Sequence, residues 1–125
     1  MKTKVETTKA PKAVGPYSQA VMVDDFIFTS GQIHLTPEGK LLEGTIEEQT
    51  HQVMKNLKAV LEAAGVAFAD VVKTTIYVIN IGDYGKINEV YSSYMIEPFP
   101  ARETVCVNAL PLDARVEISM VAIKN

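Results

Sequence analysis

Residues 99–123 read FPARETVCVNALPLDARVEISMVAI. This stretch contains two runs rich in β-branched residues, 104–108 and 115–123, and the proline-containing segment 110–113 lies between them. Two such runs on either side of a break predict a β-hairpin with a loop of moderate length. Because successive side chains of a strand alternate between its two faces, one face of this hairpin is apolar and is expected to face the core. The residues on that face are Val105, Val107, Val116, Ile118, Met120 and Ala122.

The opposite face of the predicted hairpin carries an arginine and a glutamate. In this register Arg102 and Glu117 lie about 10 Å apart, at about 3.3 Å per residue, and Cys106 lies across from Glu117. A small molecule fits between the two charges, although an ordinary pair of exposed surface charges has the same sequence signature. Val121 and Ile123 share the face, and such apolar side chains are unexpected on a solvated surface. We therefore predict that another subunit covers this face and that Cys106 is structural, not a nucleophile.

The composition indicates one globular domain, residues 1–125. The chain has 125 residues and is 47% hydrophobic, which is enough for one core and too little for two domains. With a net charge of −3 and no run of Lys or Arg, it lacks the basic surface that nucleic-acid binding requires. One cysteine allows no intrachain disulfide, and no stretch is apolar enough for a signal peptide or a membrane span. We therefore expect a cytoplasmic protein that binds neither nucleic acid nor membrane.

Two further strand-like runs, 19–23 and 26–30, follow a polar and extended N-terminal segment of residues 1–16. Two aspartates separate the runs and suit a tight turn, which predicts a second hairpin. Gly31 comes directly after Ser30 at the end of the second run. A glycine in this place indicates either an ordinary strand end or a point where the backbone closely approaches another group. In the second case the Ser30 hydroxyl and the Gly31 N–H could form hydrogen bonds with that group.

Two amphipathic helices flank a strand in the middle of the chain. The first begins at a capping box opened by Thr45 and ends at Gly65, and the second begins at Asp83. Residues 71–79 are apolar or β-branched almost throughout, which predicts a central strand covered on both faces. Asn88 lies off the apolar stripe of the second helix, so its side chain is available to contact another group.

The order of elements is two strands, a helix, a strand, a helix and two strands. This order predicts an α+β domain with both helices on one face of the sheet. His34 lies in the loop 34–44 and His51 lies on the first helix, and neither has other ligands at metal-site spacing. We therefore expect no metal site.

A series of short motifs runs through the chain in a fixed order. They are AP at 10–11, GPYSQA at 15–20, TSGQI at 29–33, NL at 56–57, AAG at 63–65, DVVKTT at 70–75, Asn88, FPAR at 99–102, LP at 110–111 and VEI at 116–118. Each motif is weak alone, but the whole set in this order resembles the reactive intermediate deaminase family (the Rid or YjgF-like family), and the resemblance covers nearly the whole chain.

The resemblance implies a fold, an assembly and a reaction. The fold is the chorismate-mutase-like (YjgF-like) fold with a mixed β-sheet, and the assembly is a homotrimer with three clefts between subunits. The reaction is that of a 2-iminobutanoate/2-iminopropanoate deaminase, which hydrolyses 2-imino acids, the tautomers of 2-aminoacrylate and its homologues, to 2-keto acids and ammonia without a cofactor. The candidate residues are Arg102 and Glu117 for catalysis, and Tyr17, Ser30, Gly31, Asn88, Arg102 and Thr104 for substrate binding.

Simple chemistry connects these side chains with the reaction. The planar guanidinium of Arg102 can grip a substrate carboxylate through two parallel hydrogen bonds. Glu117 can take a proton from the attacking water and return it to the departing amine. Two positions depart from the family pattern: Glu103 stands where close relatives often carry a small hydroxyl residue, and Thr104 where some carry a cysteine. These departures bear on the reactivity of the cysteine, which here is Cys106, and leave the arginine and the glutamate in place.

Other activities described for the family stay open at this point. They are ribonuclease or translation inhibitor, chaperone-like holdase, and metabolite-sensing regulator. The acidic net charge argues against a ribonuclease, because phosphate contacts require clustered Lys or Arg. A non-catalytic regulator that binds a keto acid would use the same cleft, but it would not require Glu117.

Overall fold

The computed structural model describes residues 1–125 and contains one β-sheet with two α-helices. The strands are β1 (Lys2–Val5), β2 (Ala20–Val23), β3 (Phe26–Thr29), β4 (Gln32–Ile33), β5 (Val71–Val78), β6 (Ala101–Cys106) and β7 (Val116–Ile123). The helices are α1 (Ile46–Ala63) and α2 (Tyr84–Ser92). The expected α+β architecture with a mixed sheet is therefore confirmed. No helix combines the length and the hydropathy that a membrane crossing requires.

The strand order differs from the expected one at the C-terminal end of the chain. The order is β1-β2-β3-β7-β5-β6, and β4 pairs with β7. The predicted hairpin of residues 99–123 is wrong, because β5 lies between β6 and β7 and pairs with both. The physical reason is the connection through α2, since a strand–helix–strand unit places its second strand parallel to its first. β6 is accordingly parallel to β5, and β7 is antiparallel to β5 on the other side.

This pairing separates the two charged residues of the predicted site. Arg102 is paired with Thr74, which is buried on the helix side of the sheet. Glu117 is paired with Tyr77 and lies on the opposite side, which we call the open face. The prediction that Arg102 and Glu117 share a face is therefore wrong within one chain. Val105 also lies on the open face and is 41% exposed, so its assignment to the core is wrong.

The end of β6 corrects two further expectations. Cys106 does not lie across from Glu117; it is paired with Val78 and is exposed. Val107 lies beyond the strand, and its N–H donates to the carbonyl of Val78. Cys106 is separated from Glu117 because β5 lies between β6 and β7, and β6 is an edge strand whose outer side no strand of this chain covers.

The predicted core face of the second run, residues 115–123, is confirmed. Four alternate residues of β7 are at most 2% exposed and face the helices: Val116, Ile118, Met120 and Ala122. The first helix has its predicted capping box, formed by Thr45 and Glu48, and Gly65 follows it with a φ of +82° that favours glycine. The hairpin of β2 and β3 is also present. These features depend on local spacing, which a sequence records directly.

Four elements were missed or differ from their predictions. The segment predicted as extended contains β1, which pairs with β2, and the two-residue β4 lies between the predicted strand 26–30 and the predicted loop 34–44, where no strand was expected. α2 begins after Asp83 as predicted, but the Asp83 carboxylate contacts Arg115 instead of capping the helix. β5 is central, but only its alternate residues are buried within one chain. A second covered face is therefore absent from the single chain.

Candidate active site

The candidate site residues form two groups on opposite sides of the sheet. Arg102 and Thr104 lie two residues apart on β6, on the side that faces α2, and Asn88 of α2 contacts Arg102. The other candidates, Tyr17, Ser30, Gly31 and Glu117, gather near the point where β3 ends and β4 begins. The residues within each group lie close together, but the sheet separates the two groups within one chain.

The guanidinium of Arg102 is held by α2. Its Nη1 donates to Asn88 Oδ1 at 2.6 Å, and its Nη2 donates to the hydroxyl of Tyr84 at 2.6 Å. The Arg102 Cζ atom lies 5.1 Å from the centre of the Tyr91 ring, within the range of a cation–π contact. A cavity of about 390 Å³ adjoins this group, with Phe99 in its wall. Because a guanidinium has more N–H donors than these two contacts use, Arg102 is oriented and can still bind an anion.

Two tyrosines of α2 also contact Arg102, and neither was among the candidate site residues. Tyr84 and Tyr91 recur at helical spacing with Ile87 and Val90, which is typical of the apolar stripe of a helix. Tyr91 is indeed 5% exposed, and its hydroxyl donates to Thr74, but its ring also faces Arg102. Tyr84 and Asn88 are four residues apart, which places them on one helix face. That spacing was the available signal that both could hold the same partner.

The second group is organised around an interruption between two strands. β3 and β4 both pair with β7, and Ser30 and Gly31 lie between them. A Cβ atom added at Gly31 would overlap Oε2 of Glu117. A side chain at this position would push the Glu117 carboxyl aside, so glycine allows the carboxyl to lie directly against the backbone. Of the two interpretations of Gly31, the structure favours the close approach.

Glu117 lies in a partly enclosed environment. Burial raises the pKa of its carboxyl group above the usual range. The adjoining cavity has a volume of about 320 Å³ and a largely apolar wall, in which the Tyr17 side chain is 53% exposed. The lining residues are Pro11, Lys12, Val14, Tyr17, Gln19, Gly31, Gln32, Ile33, Leu35, Pro111, Leu112 and Glu117. A carboxyl with a raised pKa exchanges protons closer to neutral pH, as acid–base catalysis requires.

Ser30 has a more limited role than the sequence suggests. Its hydroxyl donates to the carbonyl of Ser18, and its backbone N–H donates to the carbonyl of Gln19. The Ser30 hydroxyl can therefore accept a hydrogen bond but has no free proton to donate within this chain. Its contacts hold the turn that presents Gly31 to Glu117.

Comparisons with known proteins identify relatives that match almost the whole chain. The family model described as Endoribonuclease L-PSP matches residues 7–124. A RutC family protein from Pyrococcus abyssi is 50% identical over 120 residues, which are 95% of this chain and 94% of that protein. The human 2-iminobutanoate/2-iminopropanoate deaminase is 47% identical over 122 residues, which are 97% of this chain and 89% of that protein.

The fold has the same relatives. The crystal structure of YyfA from Yersinia pestis, described as a member of the conserved Rid protein family, superposes with a TM-score of 0.94 at 46% identity. The superposition covers 98% of this chain and 99% of that one. With the family model matching nearly every residue and relatives this similar in sequence and structure, the chain belongs to the Rid (YjgF-like) family.

Proposed function

We propose that this chain is a 2-iminobutanoate/2-iminopropanoate deaminase that acts at clefts between the subunits of a homotrimer. The observation that carries the proposal is the division of the site: an anchored guanidinium, Arg102, on one side of the sheet, and a carboxyl of raised pKa, Glu117, on the other. The name of the human relative supports the choice of reaction.

The division of the site is the reason to propose an assembly. One small substrate cannot contact both Arg102 and Glu117 of a single chain, because the sheet lies between them. The open face also exposes apolar side chains, among them Phe26 at 44% and Phe28 at 43%. A second copy that covers this face brings the Glu117 group of one subunit to the Arg102 group of the next. A closed ring of such identical contacts has equivalent clefts, and we propose three.

Substrate binding depends mainly on Arg102. A 2-imino acid carries a carboxylate, which a planar guanidinium binds through two parallel hydrogen bonds. Asn88 and Tyr84 fix the guanidinium before the substrate arrives, so little conformational freedom remains to be lost on binding. Thr104 lies on the same side of β6 and contacts the bound acid, while the Tyr17 ring of the neighbouring subunit closes the cleft.

Glu117 acts as general base and then as general acid. Its carboxylate accepts a proton as water adds to the imine carbon, and the C=N bond becomes a C–N single bond. Glu117 then gives that proton to the amine of the tetrahedral adduct. Glu117 next accepts the hydroxyl proton of the adduct as the C=O bond forms and passes it to the departing nitrogen, so the C–N bond breaks and ammonia leaves. One imino acid and one water thus give one 2-keto acid and one ammonia. Gly31 keeps the carboxyl in position, and its N–H and the Ser30 oxygen are available to the adduct.

A coupled assay tests the proposal. A pyridoxal-phosphate-dependent dehydratase acting on serine supplies 2-aminoacrylate, and the rate of pyruvate release is measured with and without this protein. We expect clear acceleration by the wild type and by Glu62→Gln, a control on the exposed side of α1, and little by Glu117→Gln. Binding of pyruvate without acceleration would contradict the proposed deaminase activity and support a keto-acid-binding regulator. The absence of both would leave the chaperone-like alternative.

A further inference from the structure

β4 is the shortest strand of the sheet, yet it adjoins the proposed catalytic carboxyl. It consists of Gln32 and Ile33 and pairs only with β7, opposite Ile118 and Glu117. Gly31, which touches the Glu117 carboxyl, comes immediately before it. Such a short strand forms few ladder hydrogen bonds and does not hold its own position. Other groups must therefore keep this segment against β7.

One of these groups is the amide of Asn56 on α1. Asn56 is 0% exposed, and its Nδ2 donates to the carbonyl of Leu35 at 2.8 Å and to that of Ile33 at 3.3 Å. Its Oδ1 accepts a hydrogen bond from Gln52 Nε2 at 2.9 Å, which fixes the orientation of the amide. A buried carbonyl that loses its donor is costly, so Asn56 ties the C-terminal side of β4 to the helix layer.

The other group is the imidazole of His34. This residue is 1% exposed, although it follows β4 in a segment that the sequence suggests is a loop. Its Nδ1 lies 2.9 Å from the carbonyl of Leu42 and donates to it, and its Nε2 accepts the backbone N–H of Arg115 at 3.0 Å. These two contacts require the neutral imidazole with its proton on Nδ1. Arg115 immediately precedes β7, so the ring joins the end of β4 to the start of β7.

We propose that His34 and Asn56 are positioning residues that hold β4 against β7 and thereby set the spacing between Gly31 and Glu117. This inference rests on the proposed function insofar as Glu117 is the general base. Neither side chain touches the cavity beside Glu117. Asn56 acts from α1 on the backbone of Ile33 and Leu35, and His34, which directly follows β4, bonds to the backbone of Arg115. If the segment moves, the Glu117 carboxyl loses the surface that confines it, and the base is no longer aligned with the imine carbon.

The test compares three variants in the coupled assay and in amide hydrogen exchange. His34→Leu keeps the bulk of the ring but removes both hydrogen bonds. His34→Gln can restore both, since its amide donates to Leu42 and accepts from Arg115. Thr50→Val is the control: Thr50 is buried on α1, and its hydroxyl bonds only within the helix, to Ile46. It removes a buried hydrogen bond without affecting β4.

We expect His34→Leu to lower kcat about tenfold with KM within about twofold, because a misplaced catalytic group affects the chemical step and Arg102 still binds the acid. The amide of Gly31 should exchange faster than those of β5. His34→Gln should recover most of kcat, and Thr50→Val should change neither kcat nor the exchange at Gly31. Equal losses of kcat in His34→Leu and Thr50→Val, or no recovery in His34→Gln, would overturn the proposal.

A milder variant keeps the test decisive if His34→Leu does not fold. Gln52→Ala removes the hydrogen bond that orients the Asn56 amide and leaves the core otherwise intact. It should lower kcat and speed Gly31 exchange in the same direction and to a smaller extent. Unchanged exchange at Gly31 in this variant would contradict the positioning role of Asn56. If the wild type itself has no turnover, the proposed function fails, and the exchange measurement alone still decides whether His34 and Asn56 hold Gly31.

Discussion

At the scale of single residues, the two charged groups of the site are controlled in different ways. Arg102 is fixed by hydrogen bonds from its guanidinium to Asn88 and Tyr84, so its geometry is set before a ligand binds. Glu117 is controlled by its surroundings: the carboxyl lies against Gly31, and burial raises its pKa. Mutations at these positions should therefore change different kinetic parameters.

Arg102→Lys should weaken the binding of 2-keto acids and lower turnover together. A lysine keeps the positive charge but cannot make two parallel hydrogen bonds to a carboxylate or reproduce the contacts with Asn88 and Tyr84. We expect kcat/KM to fall by roughly 10²-fold, which corresponds to about 3 kcal/mol of lost transition-state binding. Steady-state kinetics and calorimetric titration with pyruvate measure the two effects. Unchanged pyruvate affinity would mean that Arg102 is not the carboxylate anchor.

Glu117→Gln should lower kcat by roughly 10²–10⁴-fold, the usual contribution of a general base, while a keto acid binds about as well as before. The amide has the shape of the carboxyl but cannot accept and return a proton. In the wild type the acidic limb of the pH profile of kcat/KM should lie above the usual range of a glutamate, since burial raises the pKa of Glu117. Turnover within about threefold of the wild type would remove Glu117 from the mechanism.

Gly31→Ala should lower kcat by about tenfold or more, because the new methyl group would displace the Glu117 carboxyl. Gly85→Ala on α2 is the matched control, since a Cβ atom there meets nothing within 4 Å. That control should keep full activity and gain some helix stability. Comparison of kcat and of thermal unfolding for the two variants is the measurement. Full activity of Gly31→Ala would show that the carboxyl can move without loss.

At the scale of elements, the β5–α2–β6 unit determines where Arg102 lies. α2 carries Asn88 and Tyr84 across to β6, and the parallel pairing with β5 turns Arg102 towards the helix. On the other side of β7, the short β4 carries the turn that meets Glu117. The site is therefore built at two sheet positions, each supported by side chains of a helix.

The connection between β4 and β7 should make stability depend on pH through His34. Burial, and to a lesser degree the nearby Arg115 charge, lowers the pKa of His34. Between the unfolded value of about 6.5 and the lower folded value, the unfolded chain binds a proton that the folded chain does not. The free energy of unfolding should thus decrease as the pH falls below about 6.5.

Urea unfolding of the wild type and of His34→Gln between about pH 7 and pH 5 measures this effect, which follows from the histidine pKa. Glu117 contributes with the opposite sign above its unfolded pKa, because its folded pKa is raised. That contribution is common to both proteins, so the difference between them isolates His34. The variant should lose less stability on acidification. Parallel pH dependences of the two proteins would contradict the assignment.

At the scale of the whole molecule, the open face of the sheet exposes apolar side chains that no other part of the chain covers. Phe26 and Phe28 lie side by side there, with their ring centres 6.1 Å apart, opposite Ile123 and Val121 of β7. An exposed apolar surface of this kind is typical of an interface with another protein. The proposed trimer buries it and at the same time completes the site.

Light scattering at micromolar concentration should give about three times the chain mass of 13.7 kDa. Phe28→Asp should shift the protein towards the monomer, because it places a charge in the proposed interface. It should also remove turnover, because the proposed site lies between subunits. Lys58→Glu, on the exposed side of α1, is the control and should stay trimeric and active. A wild-type monomer, or an active Phe28→Asp monomer, would contradict the proposed assembly.

The sequence by itself determined the features that depend on local spacing. These are the capped helix that begins after Thr45, the first hairpin, the apolar alternation of β7 and the glycine beside Ser30, because each is recorded by neighbouring residues. The family followed from motifs in order along the chain, and with it the candidate residues Arg102 and Glu117.

Only the tertiary structure decided which strand pairs with which. The alternation of residues 99–123 fits a hairpin as well as it fits two strands on either side of β5, since both arrangements keep the same period. Strand order depends on contacts between distant segments, here the crossover through α2. That crossover placed Arg102 and Glu117 on opposite sides of the sheet. The buried roles of His34 and Asn56 were likewise decided by groups far away in the sequence, which periodicity does not record.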